Sequence, residues 1–250
     1  MQKFDMSAAW ADARRLLSAH SALIWTVAGV FLLLPQLVIS LAVPPPAQMV
    51  PGSNPDMYLA ELNQWMRKAA PILFLAAAFT MMGTIAIMRL WLSRSSISVL
   101  ESLKLALTLV PTLLVAQLLS GIVIGFGLLL LIIPGLYLYT RFIAVGPLAA
   151  DLVEYNPIKL ISGSWALTKG RSWGIFLYLL LVMVAVVIVM LLVTSVLTLV
   201  LGLIPGIGAT LVMFASGIVT VIVTVVMLAV TTALYRYLVS SSEQSLPHES

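Results

Sequence analysis

The sequence predicts an all-α fold: a polytopic membrane helical bundle of six transmembrane helices in three hairpins, with short interfacial helices beside it. Three observations carry that prediction. The 250-residue chain is 62% hydrophobic and 9% charged, whereas a soluble domain carries roughly a quarter charged residues. No charged residue occurs from Ala69 to Met88, from Leu105 to Thr140, or between Arg171 and Arg236, and about 20 apolar residues suffice to cross a bilayer core. Finally, "LYLLLVMVAVVIVMLLV" (Leu177 to Val193) lacks the two-residue alternation of a barrel strand. Helices are the remaining way to satisfy backbone groups in lipid.

Span 1 covers about Ser21 to Ala42 and stops at "VPPPA". Ser40 and Ala42 are small, as a signal-peptidase site requires, but the apolar stretch is long for a signal sequence and some twenty residues precede it. It is read as an uncleaved span. Span 2 covers about Ala70 to Met88, span 3 about Leu105 to Ile133, and Pro134 and Gly135 form a tight turn into a short span 4, about Leu136 to Ala150. Span 5 covers about Trp173 to Leu203, Pro205 and Gly206 repeat the turn, and span 6 covers about Ala209 to Tyr235. A polar tail, 243–250, closes the single domain.

Three further segments read as interfacial helices. "NPDMYLAELNQWMRK" has Asn54 as N-cap, Pro55 at the first helical position, and Tyr58, Leu62 and Trp65 on one face. The N-terminal "FDMSAAWADARRLLSAH" is expected to run along the inner surface. "NPIKLISGSWALTKG" starts on Asn156 and Pro157 and stops at Gly170. Its stripe of Ile158, Ile161 and Trp165 is expected to lie on the membrane with Lys169, Arg171 and Trp173 close by, the lysines snorkelling.

Six spans place both termini on one side. Lys3, Arg14, Arg15, Arg89, Arg94, Lys104, Lys159, Lys169, Arg171 and Arg236 lie on that side, against Arg67 and Lys68 on the other. The positive-inside rule makes the terminal side cytoplasmic. The net charge of +4 is therefore explained by orientation, and no nucleic-acid motif accompanies it.

The string "IPGLYLYTRFIAVGPLAADLVEYNPIKLISGSWALTKGRSWGIF" (Ile133 to Phe176) resembles the YciC-type family of bacterial inner-membrane proteins. It also resembles the related membrane domain fused to some glycerophosphodiester phosphodiesterases. The C-terminal "ALYRYLVS" fits too. The resemblance implies a bacterial cytoplasmic membrane and phospholipid surroundings, and brings no catalytic residue to transfer; no soluble stretch is long enough to hold the phosphodiesterase barrel.

Chemistry is sparse. The absence of cysteine removes disulfides and thiolate sites. His20 and His248 lack a second ligand at helical spacing, so neither metal nor cofactor is expected. Asp151 and Glu154, three apart, are assigned an N-cap or ion-pair role. No acidic residue lies within a span core, which argues against ion-coupled transport. Arg141, inside span 4, is expected to snorkel toward the outer surface. There it would pin the span on carbonyls freed at Pro134, pair with Glu61 or Asp56, or hold an anionic lipid headgroup. Gly121 and Gly125 form a small-xxx-small seam, and Ser216, Thr220 and Thr224 recur along span 6 as helix-packing positions. Gln36 and Gln117 are expected to form hydrogen bonds between helices. The functional expectation is a non-enzymatic protein that organises or assists membrane phospholipids or protein partners in the membrane. A passive transporter or lipid-translocating groove is the second reading, and a membrane-bound enzyme of lipid metabolism the third.

Overall fold

The computed structural model describes residues 5–19, 21–44, 46, 54–93 and 98–243. Among them every regular element is helical: α1 (Met6–Ser18), α2 (Ser21–Ala42), α3 (Pro55–Leu92), α4 (Val99–Leu130), α5 (Ile132–Phe142), α6 (Val145–Leu152), α7 (Pro157–Thr168), α8 (Ser172–Leu201) and α9 (Gly208–Glu243). Helices α2, α3, α4, α8 and α9 are long and apolar enough to cross a membrane. The segment 133–152 and α7 form a pair bent by 118°, a broken span or a re-entrant loop. The chain is a multi-pass all-α bundle. His20, His248, Lys3, Arg94 and the tail beyond 243 lie outside the described residues.

The helix ends follow capping chemistry. Asn54 accepts from the Asp56 N–H and Pro55 occupies the first helical position, where its missing N–H has no cost. The surface helix expected over 54–68 is not separate: it continues without a break into span 2 as the 38-residue α3, through the exposed Pro71. Lys68, Ala69 and Ala70 offer no helix breaker. Trp65 donates from its indole nitrogen to the Val43 carbonyl at 3.3 Å, tying the N-terminal part of α3 to the end of α2.

Helix α4 starts at Val99, ahead of the expected Leu105, because Ser98 and Glu101 form a reciprocal capping box. Within α2, a π turn over Gly29–Leu33 precedes Pro35, whose ring cannot continue the regular ladder.

The expected turn at Pro134 and Gly135 lies earlier. Leu131 alone is extended between α4 and α5, and both residues fall in the first turns of α5. Gly135 permits close contact instead, since a Cβ there would collide with the Leu128 side chain. The second turn spans 202–207 and contains Pro205 and Gly206, the latter at φ +83°.

Buried side chains gather toward the end that carries α1 and the C-terminus of α9. They include Ala9, Ala13, Ile85, Ile87, Leu109, Leu113, Leu160, Ile175, Leu234 and Leu238. The opposite parts of α4 and α8, for example Leu129, Leu130, Leu192 and Leu199, are exposed, as lipid-facing surfaces are. Helix α1 does not simply run along the surface. Asp5 caps it, Ala9, Ala13 and Leu16 are buried, it packs on α9, and Asp12 pairs with Arg236 at 3.5 Å.

Candidate functional site

The bundle concentrates its polar contacts where a span is interrupted. Pro147 has no N–H, and its ring crowds the carbonyl four residues earlier. That carbonyl belongs to Ile143, where the chain leaves α5 and turns into α6. An interruption inside lipid needs substitute hydrogen bonds, and α7 supplies them. Ser164 Oγ donates to the Arg141 carbonyl at 2.7 Å and accepts from the Ala144 N–H at 3.2 Å. One hydroxyl thus bridges both sides of the break.

Arg141 completes the joint. Its side chain turns toward α7 and is 8% exposed. Nε and one terminal nitrogen donate to the Tyr137 hydroxyl at 3.1 and 2.6 Å. The other donates to the Trp165 carbonyl at 3.4 Å and to Thr168 Oγ1 at 3.5 Å. The guanidinium carbon lies 5.1 Å from the Tyr137 ring centre and 4.8 Å from that of Trp165. A cation at the last turn of α7 meets the negative end of its dipole. The expected partners, Glu61, Asp56 and the Pro134 carbonyls, are not those the fold provides, because α7 folds back against α5.

This docking also reverses the expected faces of α7. Leu160, Ser164 and Thr168 are fully buried, while Ile158 and Trp165 are exposed. In lipid the outward face is the greasy one, so an apolar stripe need not be a docking stripe. Beyond α7, Lys169 is exposed, Arg171 hydrogen-bonds Ser241, and Trp173 stands edge-on to Phe176 with centres 5.8 Å apart.

At the charged end, a cavity of about 970 Å³ opens between α3, α6, α7 and α9. Arg89, Lys159, Asp151 and Glu154 line it with Leu92, Leu148, Leu160, Leu167 and Val239. Arg89 donates to the carbonyls of Ala150 and Asp151, both at 3.0 Å, capping the end of α6. There Val153 adopts a left-handed φ of +54°, uncommon for a β-branched residue. Asp151 accepts from the Tyr235 hydroxyl at 2.7 Å. Glu154 accepts from the Asn156 N–H and pairs with Lys159 at 3.5 Å. Asp151 and Glu154 therefore serve different partners.

The remaining expected packing residues divide. A Cβ on Gly121 or Gly125 would meet nothing within 4 Å, so among the described residues that seam packs on no helix. The close approach is at Gly127, where a Cβ would lie 3.0 Å from the Gly135 Cα, and at Gly83, which receives Phe31. Thr220 and Thr224 donate to carbonyls of their own helix, those of Ser216 and Thr220. Among the described residues no group of three His, Asp or Glu is placed to hold a metal ion.

Ser164, Arg89 and Tyr235 carry this region, and no sequence pattern singled them out. Pro147 was a legible signal for the break itself. No family model, no curated protein and no solved structure matches this chain.

Proposed function

We propose that the chain is a non-enzymatic protein of the bacterial cytoplasmic membrane, both termini inside, that holds a phospholipid at its cytoplasmic end. The charge bias supports the orientation. The string from Ile133 to Phe176, which resembles the YciC-type family, supports the membrane.

One observation carries the lipid reading: the cavity of about 970 Å³ at the charged end, with walls of mixed character. Its size falls within the usual range for ligand pockets, about 300–1,000 Å³. Its charged lining comprises Arg89 and Lys159 against Asp151 and Glu154, so the wall is neutral as a whole. A headgroup carrying both signs complements it better than an anionic one, and the leucines accommodate the upper acyl chain. Each charged wall residue also has a structural bond of its own, which favours holding over chemistry.

The test is native mass spectrometry of phospholipids retained by the purified protein. Ala166 lines the cavity and is exposed, so Ala166→Trp fills the space without breaking a contact. Retained phosphatidylethanolamine should fall several-fold in that variant while its melting temperature holds. Unchanged retention refutes the reading. A reporter fused after Ser250 should be active only in the cytoplasm.

A further inference from the structure

A second cavity, of about 540 Å³, lies between α2, α3, α4 and α9. It is remote in character from the charged cavity, for no acidic or basic residue lines it. Its polar groups are Gln36, Ser40, Thr80, Thr84, Gln117 and the Thr220–Thr224 pair; leucines, alanines and Met81 make up most of the remainder.

Most of these groups sit deep. At 1.5 Å per residue, Thr80 is about 18 Å from the end of α3, Gln117 about 20 Å from the end of α4 and Thr220 about 18 Å from the start of α9, whereas Gln36 and Ser40 lie about 9 and about 3 Å from the end of α2. A hydrocarbon core is about 30 Å thick. A polar side chain at such depth normally finds a protein partner. Here the amides of Gln36 and Gln117, expected to bond between helices, have no hydrogen-bond partner among the described residues. Thr84, Thr220 and Thr224 already donate to carbonyls of their own helices, leaving their oxygens as acceptors. Gln117 is exposed, so the cavity opens to the lipid side. The π turn of α2 ends three residues before Gln36, and such turns recur at functional sites.

The geometry points to an intramembrane site for a neutral amphiphile, one with ester, carbonyl or hydroxyl groups on an apolar body; diacylglycerol represents the class. Gln36 and Gln117 donate to its carbonyls, and the threonine oxygens accept from its hydroxyl. A charged headgroup is disfavoured, because a charge within the hydrocarbon layer is costly and no wall residue offsets it. Entry is lateral, from the bilayer.

The experiment offers dioleoylglycerol or dioleoylphosphatidylglycerol to the detergent-solubilised full chain and reads bound lipid by native mass spectrometry. The protein should retain dioleoylglycerol, and Gln36→Leu with Gln117→Leu should weaken its binding roughly thirtyfold, as two lost hydrogen bonds of about 1 kcal/mol each would. Ala77→Phe, which fills the cavity from an exposed lining position and removes no polar group, should have the same effect if the double variant fails to fold. The inference is overturned if the protein retains no dioleoylglycerol, or if Ala77→Phe leaves retention unchanged. It is equally overturned if the phosphatidylglycerol binds as well and is lost in the same variants, or if the variants convert a dimer into monomers, making the cavity a contact between copies.

Discussion

The hairpin of α8 and α9 and the segment from α5 to α7 solve the same problem in opposite ways. Helix α8 runs unbroken for 30 residues, so its backbone satisfies itself and its side chains are free to be apolar. Its later half faces outward, with Val187, Leu191, Leu192 and Leu199 exposed. The α5–α7 segment is interrupted twice, at 143–144 and at 153–156. Each interruption frees backbone groups, and each is met by a polar side chain from another helix. Ser164 serves the first, and Arg89 caps the helix end at the second. The polar contacts that join these elements therefore gather where regular structure stops.

That contrast can be broken most severely at Ser164. Ser164→Val leaves the Arg141 carbonyl and the Ala144 N–H unpaired, and a buried orphan costs about 1–3 kcal/mol. A loss of about 2–4 kcal/mol is expected in a denaturant titration in mixed micelles. Thr194→Val, in the later half of α8, removes only bonds to the helix's own Met190 and Leu191 carbonyls and should change stability by less than about 0.5 kcal/mol. Equal effects would show that the break is not held by α7.

Arg141 ranks next. Arg141→Leu removes four hydrogen bonds and two ring contacts, but also the cost of a buried guanidinium. The net loss should be about 2–3 kcal/mol. Arg141→Lys should recover little, since an ammonium cannot reproduce the planar fork. Co-purifying phospholipid should not change, which separates this joint from the lipid cavity.

The glycines sharpen the comparison on a smaller scale. Gly135→Ala forces α5 away from Leu128 and should cost about 1–3 kcal/mol, as overpacking does. Gly125→Ala, with nothing nearby, should be neutral or slightly stabilising, because alanine is the better helix former. Thermal melts of the two variants decide this.

The smallest effect is expected at Asp5. The Ser7 hydroxyl, with the Ala8 and Ser7 N–H groups, holds its carboxyl below the usual carboxylate range. A depressed value means that the capping contribution is present above the ordinary carboxylate pKa of about 3.9 and is lost as pH falls through the lowered one. Trp10 fluorescence, which reports α1, should change on acidification over that window. Asp5→Asn retains a good cap and should remove the acid dependence.

How much of this could be read beforehand depended on how local the cause was. The long spans were legible because a charge-free run of sufficient length has one reading in lipid. The starts of α3 and α7 were legible because Asn-Pro is a local capping signal. Ser98 and Glu101 are equally local, and their capping box starts α4 six residues ahead of Leu105, where the charge-free run begins. The identity of Arg141's partners was not legible. It requires α7 to fold back by 118°, and nothing in "NPIKLISGSWALTKG" distinguishes a docked helix from one lying on the membrane. Gly121 and Gly125 illustrate the converse: a packing pattern states that approach is permitted, not that a neighbour is present.

The length of α3 has one more consequence. Its charge-free stretch, Ala69 to Met88, is bracketed by Lys68 and Arg89, and 20 residues rise about 30 Å, the thickness of an ordinary hydrocarbon layer. With both brackets charged and Arg89 fixed to the end of α6, this helix acts as a gauge. Membranes of longer acyl chains would have to thin around it, so the protein should partition toward the thinner regions of a mixed bilayer.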